Sequence, residues 1–361
     1  LGPARQRRSV RSRTQSICRA WRHSRAWQRI DRSENCLGQT NDQWGMPVKL
    51  VVAGLLAAVG LISPAMAESW PEREITLVVN YGAGGVTDVT VRALAAEAAK
   101  ILNVPVQIVN RPGGQGTTGP TFIAAQKPDG YTIGVTSFAP MAINPHMIDV
   151  TYAIDDFDYV GGFGRFRYGI VVNETSPIRS IDDLIKAGQS KPVTFSASGP
   201  PNNLALLELG KKTGARFRFV PYPSGAESVT AVLGGHIDAV VQTPTEMLPL
   251  IQAGKLRLLA SASPVRWSEL PDVPTLLDLG HGVSIDSWIG LGGPKGIDPN
   301  KLKTLRTAFE KAAASPEVAK SYEQLGMSMA YMSGDEYRGF LKKGFDEMSK
   351  SLAETGLAKK R

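Results

Sequence analysis

Between Glu74 and Ser137 short apolar runs alternate with segments of helical spacing, and this alternation limits the fold more than any other feature. Glu74–Asn80 reads as a buried strand, Thr87–Leu102 as a helix starting at Thr87 or Asp88, and Val106–Asn110 as a second strand. A short helix is expected over Thr118–Gln126, and a third strand over Tyr131–Ser137 after the turn Pro128-Asp129-Gly130. Strand-helix-strand-helix-strand order predicts a parallel sheet flanked by helices. The pattern breaks at Phe157–Val172. It resumes with strands at Val193–Ser196, Phe217–Pro221, Ala239–Gln242 and Leu256–Ser261, and helices at Asn203–Thr213, Ser228–Leu233 and Met247–Ala253. From Pro299 onward the reading is helical: Asn300–Ala314, Pro316–Leu325 and Gly334–Thr355. Two α/β units imply a bilobed molecule, with ligand outside the carboxyl ends of the strands and closure by hinge motion.

The chain carries a formal charge of +8, a value that would point to nucleic acid or anionic membrane if it were spread over the fold. It is not spread. Ten arginines and only three acids lie in residues 1–45, together with Cys18 and Cys36. Next come Met46-Pro47-Val48-Lys49, the apolar run Leu50–Ile62, and Ala65-Met66-Ala67. A basic start, an apolar core of about 7–15 residues and an A-x-A site describe a secretory signal peptide, with cleavage expected after Ala67. The run is shorter than the roughly 20 residues of a membrane span. Residues 1–45 are read as a basic extension upstream of the true start at Met46, and 46–67 as the signal. Beyond Ala67, 30 Lys and Arg balance 30 Asp and Glu, and no cysteine remains. That excludes a disulfide framework and thiol chemistry. His146, His236 and His281 are too scattered to suggest a metal site. No cofactor, no catalytic residue and no nucleic-acid partner are expected.

Three strand-to-helix loops carry the functional signal. The first, Asn80-Tyr81-Gly82-Ala83-Gly84-Gly85-Val86-Thr87-Asp88, has more glycine than a turn requires. It places backbone amides at a helix N-terminus, where an anion is favoured without any arginine. Asp88 either caps the helix or meets a cationic group on the ligand. The second loop contains Gly114, Gly116 and Gly119 in a literal G-x-G-x-x-G. A dinucleotide site also needs an acid about 20 positions on, and the next strand ends Val135-Thr136-Ser137 without one. The third loop, Ser196–Asn203, offers hydroxyls and amides from the other lobe, with Asn202 or Asn203 otherwise serving as a helix cap. Pro221–Gly225 and Gln242-Thr243-Pro244 end two further strands and are candidates for the same cleft. Arg165 and Arg167 are read as reaching a cleft anion or lying on a solvated edge. No G-x-S-x-G or Walker pattern occurs.

The motifs VVNYGAGGVTD with Arg92, VNRPGGQGTTG with KPDGYTI, FVPYPSGAESVTAVLGGHID, AGKLRLLA and LPDVPTLLDLG follow one another across Trp70–Leu357. In this order the sequence resembles the Bug family of periplasmic solute receptors, the substrate-binding components of tripartite tricarboxylate transporters. The resemblance implies a two-lobed periplasmic binding protein of type II, a Venus flytrap with two three-layer α/β domains joined by crossing strands. The first domain is expected over 69–168 and 263–361, and the second over 169–262. It also implies a small carboxylate ligand held through backbone amides of the first two loops. That implicates Tyr81, Ala83, Gly84, Gly85, Thr87 and Asp88, then Gly116, Thr136, Ser137 and Asn144. Ser198, Gly199, Asn202, Asn203 and Gln242 are expected from the other lobe. The sequence departs from the family pattern at Asn80, which replaces a proline, at Asn203, which replaces a histidine, and at Pro223-Ser224, which replace Lys-Gly. The expected protein is a monomeric periplasmic receptor that passes a small organic acid to membrane transporter subunits. An orphan sensing receptor and a nucleotide-dependent oxidoreductase built on Gly114–Gly119 are the alternatives.

Overall fold

In the computed structural model the described residues are 70–359, without Gly199 and Pro223. The basic extension, the signal segment and its expected cleavage site therefore lie outside them.

Two sheets divide the chain. Strand β1 (Ile75–Val79) is central in the first and nearly fully buried, as its unbroken apolar run requires. It pairs in parallel with β2 (Val106–Asn110) and β3 (Thr132–Val135), Leu77 lying opposite both Ile108 and Ile133. Helix α1 (Val86–Leu102) crosses between β1 and β2 and buries Val91, Leu94, Ala95 and Ala98. Asn103 ends it in the left-handed region at φ 55°. Helix α2 (Thr118–Ala124) connects β2 to β3. The sheet is completed by β4 (Phe157–Arg165), β10 (Trp288–Pro294) and β11 (Ser328–Ser333), in the order β11-β4-β10-β3-β1-β2.

The second sheet has the order β7-β6-β8-β5-β9, formed by β5 (Gly169–Asn173), β6 (Val193–Ala197), β7 (Phe217–Phe219), β8 (Ala239–Gln242) and β9 (Leu256–Ser261). Helices α3 (Ile181–Ser190), α4 (Leu204–Thr213), α5 (Gly225–Leu233) and α6 (Pro244–Gln252) connect its strands. The remaining helices, α7 (Pro299–Ala313), α8 (Pro316–Gln324) and α9 (Gly334–Thr355), return to the first sheet. Phe309 of α7 and Tyr322 of α8 share a buried cluster with Leu94 of α1 and Phe163 of β4.

The chain passes between the sheets twice, from β4 to β5 and from β9 to β10, and the two passages bond to each other. Phe166 N donates to Ser287 O (2.8 Å), Ala262 N to Tyr168 O (2.9 Å) and Tyr168 N to Ser263 Oγ (2.8 Å). The sequence break at Phe157–Val172 is thus two strands, whose glycines hide the alternation. A Cβ on Gly162 would lie 2.8 Å from Tyr337 Cδ2, and one on Gly290 2.0 Å from Tyr337 Cε1, so the α9 tyrosine needs bare backbone beneath it. Arg165 and Arg167 correct another expectation, since neither reaches a cleft anion or a free edge. Arg165 Nε donates to Asp286 (2.7 Å). Arg167, only 2% exposed, forks onto Glu269 at 2.6 and 2.8 Å and donates to Gly326 O (2.8 Å). Both arginines are consumed in tying the crossing region together.

Candidate functional site

The site grows from strand ends. After β1, Asn80 is fully buried and its Nδ2 donates to Gly116 O (2.9 Å), which ties the first loop to the second. This gives the Asn80 departure a structural role. Gly82 to Gly85 are exposed, and Gly84 adopts φ +81°. No side chain caps α1, whose N-cap is Gly85, so its first-turn amides remain free. Asp88 does something different from either sequence reading. One oxygen accepts from Gly84 N (2.9 Å) and Arg92 Nε (2.8 Å), the other from Asn110 Nδ2 (2.7 Å). Burial works to raise its carboxyl, but these bonds prevail and hold it below the ordinary value. The carboxylate shapes the glycine loop from behind, and Thr87 beside it is buried too.

In the second loop Gln115 occupies the left-handed region at φ 55°, a strained conformation for a residue with a side chain. Its carbonyl accepts from Asn144 Nδ2 (2.8 Å). Gly116, at φ +91°, lies against Tyr81, where a Cβ would come within 2.8 Å of the hydroxyl. Burial pushes the Tyr81 hydroxyl up, with Ser137 pulling the other way. Gly119 sits beneath Asn80, where a Cβ would come within 2.6 Å of the Asn80 Cβ, so close packing accounts for that glycine. Thr136 and Ser137, at the end of β3, are buried with hydroxyls that have no partner.

On the other lobe, Asn202 Nδ2 lies 3.1 Å from Gln242 Oε1. With its amide turned to satisfy both ends, Gln242 accepts from Ser198 N (3.0 Å) and donates to Glu246 (3.1 Å). Burial raises the Glu246 carboxyl, opposed by bonds from Thr243. Asn202 and Gln242 thus support Ser198 from within. Asn203 stands at the N-cap of α4 but makes no capping bond, and its buried Oδ1 is unpaired. Gly199 lies outside the described residues.

These loops meet around a cavity of about 460 Å³. Tyr81, Gln115, Asn144 and Met147 line it from the first lobe, and Ser198, Asn203, Phe219 and Tyr222 from the second. Leu357, just past α9, completes it. None of its described lining residues is Asp, Glu, Lys, Arg or His.

Residues 90–357 match the family model described as the tripartite tricarboxylate transporter family receptor, TctC. The chain belongs to this family. It is 34% identical to a Cupriavidus necator protein, the UPF0065 protein in the gbd 5' region, over 85% of this chain and 96% of that one. It is 31% identical to BugT of Bordetella pertussis, over 85% and 97%. Among solved structures, a TctC solute-binding protein from Polaromonas without ligand is similar with a TM-score of 0.72 at 28% identity, covering 79% of this chain and 99% of that one. R. palustris Rpa4515, solved with adipate, is similar with a TM-score of 0.70 at 25% identity, covering 80% and 99%. The expected fold and the Bug resemblance are therefore correct: this TctC-family chain has the mixed α/β architecture of periplasmic solute-binding proteins, and its relatives are receptors.

Of the residues expected in the TctC-type site, Tyr81, Asn144, Ser198 and Asn203 lie on the cavity. Ala83, Gly84 and Gly85 are on the exposed loop beside Tyr81. Thr87, Asp88, Gly116, Thr136, Ser137, Asn202 and Gln242 are buried. Gln115, Met147, Phe219 and Leu357 were not singled out. Gln115 had a signal, being the one residue with a side chain in a glycine run, whereas Leu357 had none.

Proposed function

We propose that this protein captures a small organic carboxylate in the cavity between its two lobes and delivers it to the membrane subunits of a tripartite carrier. It acts in the periplasm as a monomer, after cleavage at Ala67, and performs no chemistry on the ligand. The lobes are 69–168 with 263–361, and 169–262. One observation carries the reading: strand-end loops of both sheets converge on a cavity whose described lining is neutral, next to uncapped amides at the start of α1. An acid is held there by backbone and neutral donors, its charge facing the positive end of a helix. Tyr81, Asn144, Ser198 and Asn203 contact it, Ala83, Gly84 and Gly85 present amides, and the buried residues hold those groups in place. The neighbour solved with adipate supports an acid of this size.

Native mass spectrometry of the purified protein, followed by thermal-shift screening of mono-, di- and tricarboxylates, tests this. The expected result is a co-purified acid or a ligand-dependent rise in melting temperature, with the acid recovered unchanged. If no acid in a broad panel binds, or if the acid is consumed, the reading fails.

A further inference from the structure

The carboxyl end of the chain forms part of the cavity, an observation that matters if the carboxylate reading above holds. Helix α9 ends with Gly356 at φ 73°, and both Leu357 N and Ala358 N donate to Leu352 O (2.9 and 3.1 Å). This turn lays Leu357 and Ala358 onto the core and presents Leu357 to the cavity. The tail is fastened beyond that point. Lys359 N donates to His146 O (2.8 Å), and Lys359 Nζ pairs with Asp149 (2.7 Å). His146 also faces α9, its ring 4.1 Å from that of Phe345 and its Nε2 2.9 Å from Phe345 O. The segment receiving the tail supplies Asn144 and Met147 to the same cavity. Helix α9 reaches the second lobe as well, where Ser351 bonds Glu208 and Glu354 pairs with Lys211.

We propose that Leu357 is a specificity-determining residue: it is an apolar wall that sets the length of acid the cavity accepts, held in position by the backbone bond from Lys359 to His146. Leu357→Ala removes three carbons from that wall, and Leu357→Phe adds bulk. The probes are linear dicarboxylates from succinate through adipate to suberate, measured by calorimetry and thermal shift on wild type and both variants. The acid bound most tightly is expected to become longer by about one or two carbons in Leu357→Ala and shorter in Leu357→Phe, each newly housed methylene being worth about fourfold in affinity. The same preferred length in all three proteins, or an equal loss across the series, overturns the proposal while leaving the carboxylate reading intact. If no member binds wild type, the carboxylate reading fails and the proposal falls with it. Should Leu357→Ala unfold, the shift in Leu357→Phe decides.

Discussion

Asp88→Asn separates a carboxylate that shapes a loop from one that touches a ligand. The wild-type side chain is 2% exposed and accepts three N–H donors at 2.7–2.9 Å. Asparagine has nearly the same shape but only one acceptor oxygen. If that oxygen serves Gly84 and Arg92, its amide faces the Asn110 amide, donor against donor. Asn110 cannot simply turn, because its own oxygen accepts from Arg92 and its nitrogen also donates to Tyr81 O. One buried bond to a charged acceptor is lost and a donor is left opposed, a cost of about 1–3 kcal/mol. Arg92 is half exposed, so the ion pair itself adds little. At neutral pH the variant should melt roughly 2–8 °C below wild type. The sign of the pH dependence follows from the depressed carboxyl. Its stabilisation is present above the ordinary value of 3.8 and is lost as pH falls through the lower folded value. The deficit should therefore shrink below about pH 4 and vanish in stronger acid. Differential scanning calorimetry between pH 7 and pH 2.5 measures it. Equal melting at neutral pH, or a deficit that persists unchanged into acid, would refute this account of the loop.

Three further outcomes follow from the same geometry. Gly116→Ala, at φ +91° with its Cβ 2.8 Å from the Tyr81 hydroxyl, should cost about 1–3 kcal/mol and release any co-purified acid, read by melting and native mass spectrometry. Gly290→Ala places a methyl 2.0 Å from Tyr337 Cε1 and should cost about 3 kcal/mol or more, read by denaturant unfolding; a small loss would contradict the packing of α9 on β10. Burial raises the Glu208 carboxyl above its ordinary 4.5, so its charge costs stability at neutral pH. Glu208→Gln should melt higher than wild type at pH 7 and equal to it in acid, where wild type is already protonated.

Much of the scaffold could be read from residues because its strands are apolar runs between glycine loops. Val106–Asn110, Ala239–Gln242, Leu256–Ser261 and Gly334–Thr355 have the bounds expected. The elements that escaped notice lack that signal. In β4 and β10 glycines stand where Tyr337, Phe163 and Met332 press close, and neither alternation nor a β-branched run survives. Helix α3 was passed over despite its Ser180 cap, whose side chain accepts from Asp183 N. Strand β11 exposes Met329 and Tyr331 and lies inside a stretch read as wholly helical. In the candidate site, loop positions could be foreseen and the direction of each side chain could not. Asp88, Asn202 and Gln242 turn inward to bond other loops, and only the packed fold reveals it.

The distribution of charge argues for one mode of recognition. Each arginine near the crossing region has a carboxylate partner: Arg165 has Asp286, and Arg167 has Glu269. Arg92 is occupied by Asp88. The cavity is left with hydroxyls, amides and apolar side chains, and an anion entering it gains no full counter-charge from the described lining. Affinity then depends on donors fixed in advance, which pay little reorganisation on binding. That explains why so much buried hydrogen bonding is spent behind the loops, from Asp88 to Gly84, from Asn80 to Gly116 and from Gln242 to Ser198. Binding by such fixed neutral donors should weaken only slightly as salt rises, because no long-range field draws the ligand in. A salt titration with a bound acid checks this directly, and a loss of tenfold or more between low and physiological ionic strength would require a cationic side chain in contact with the ligand.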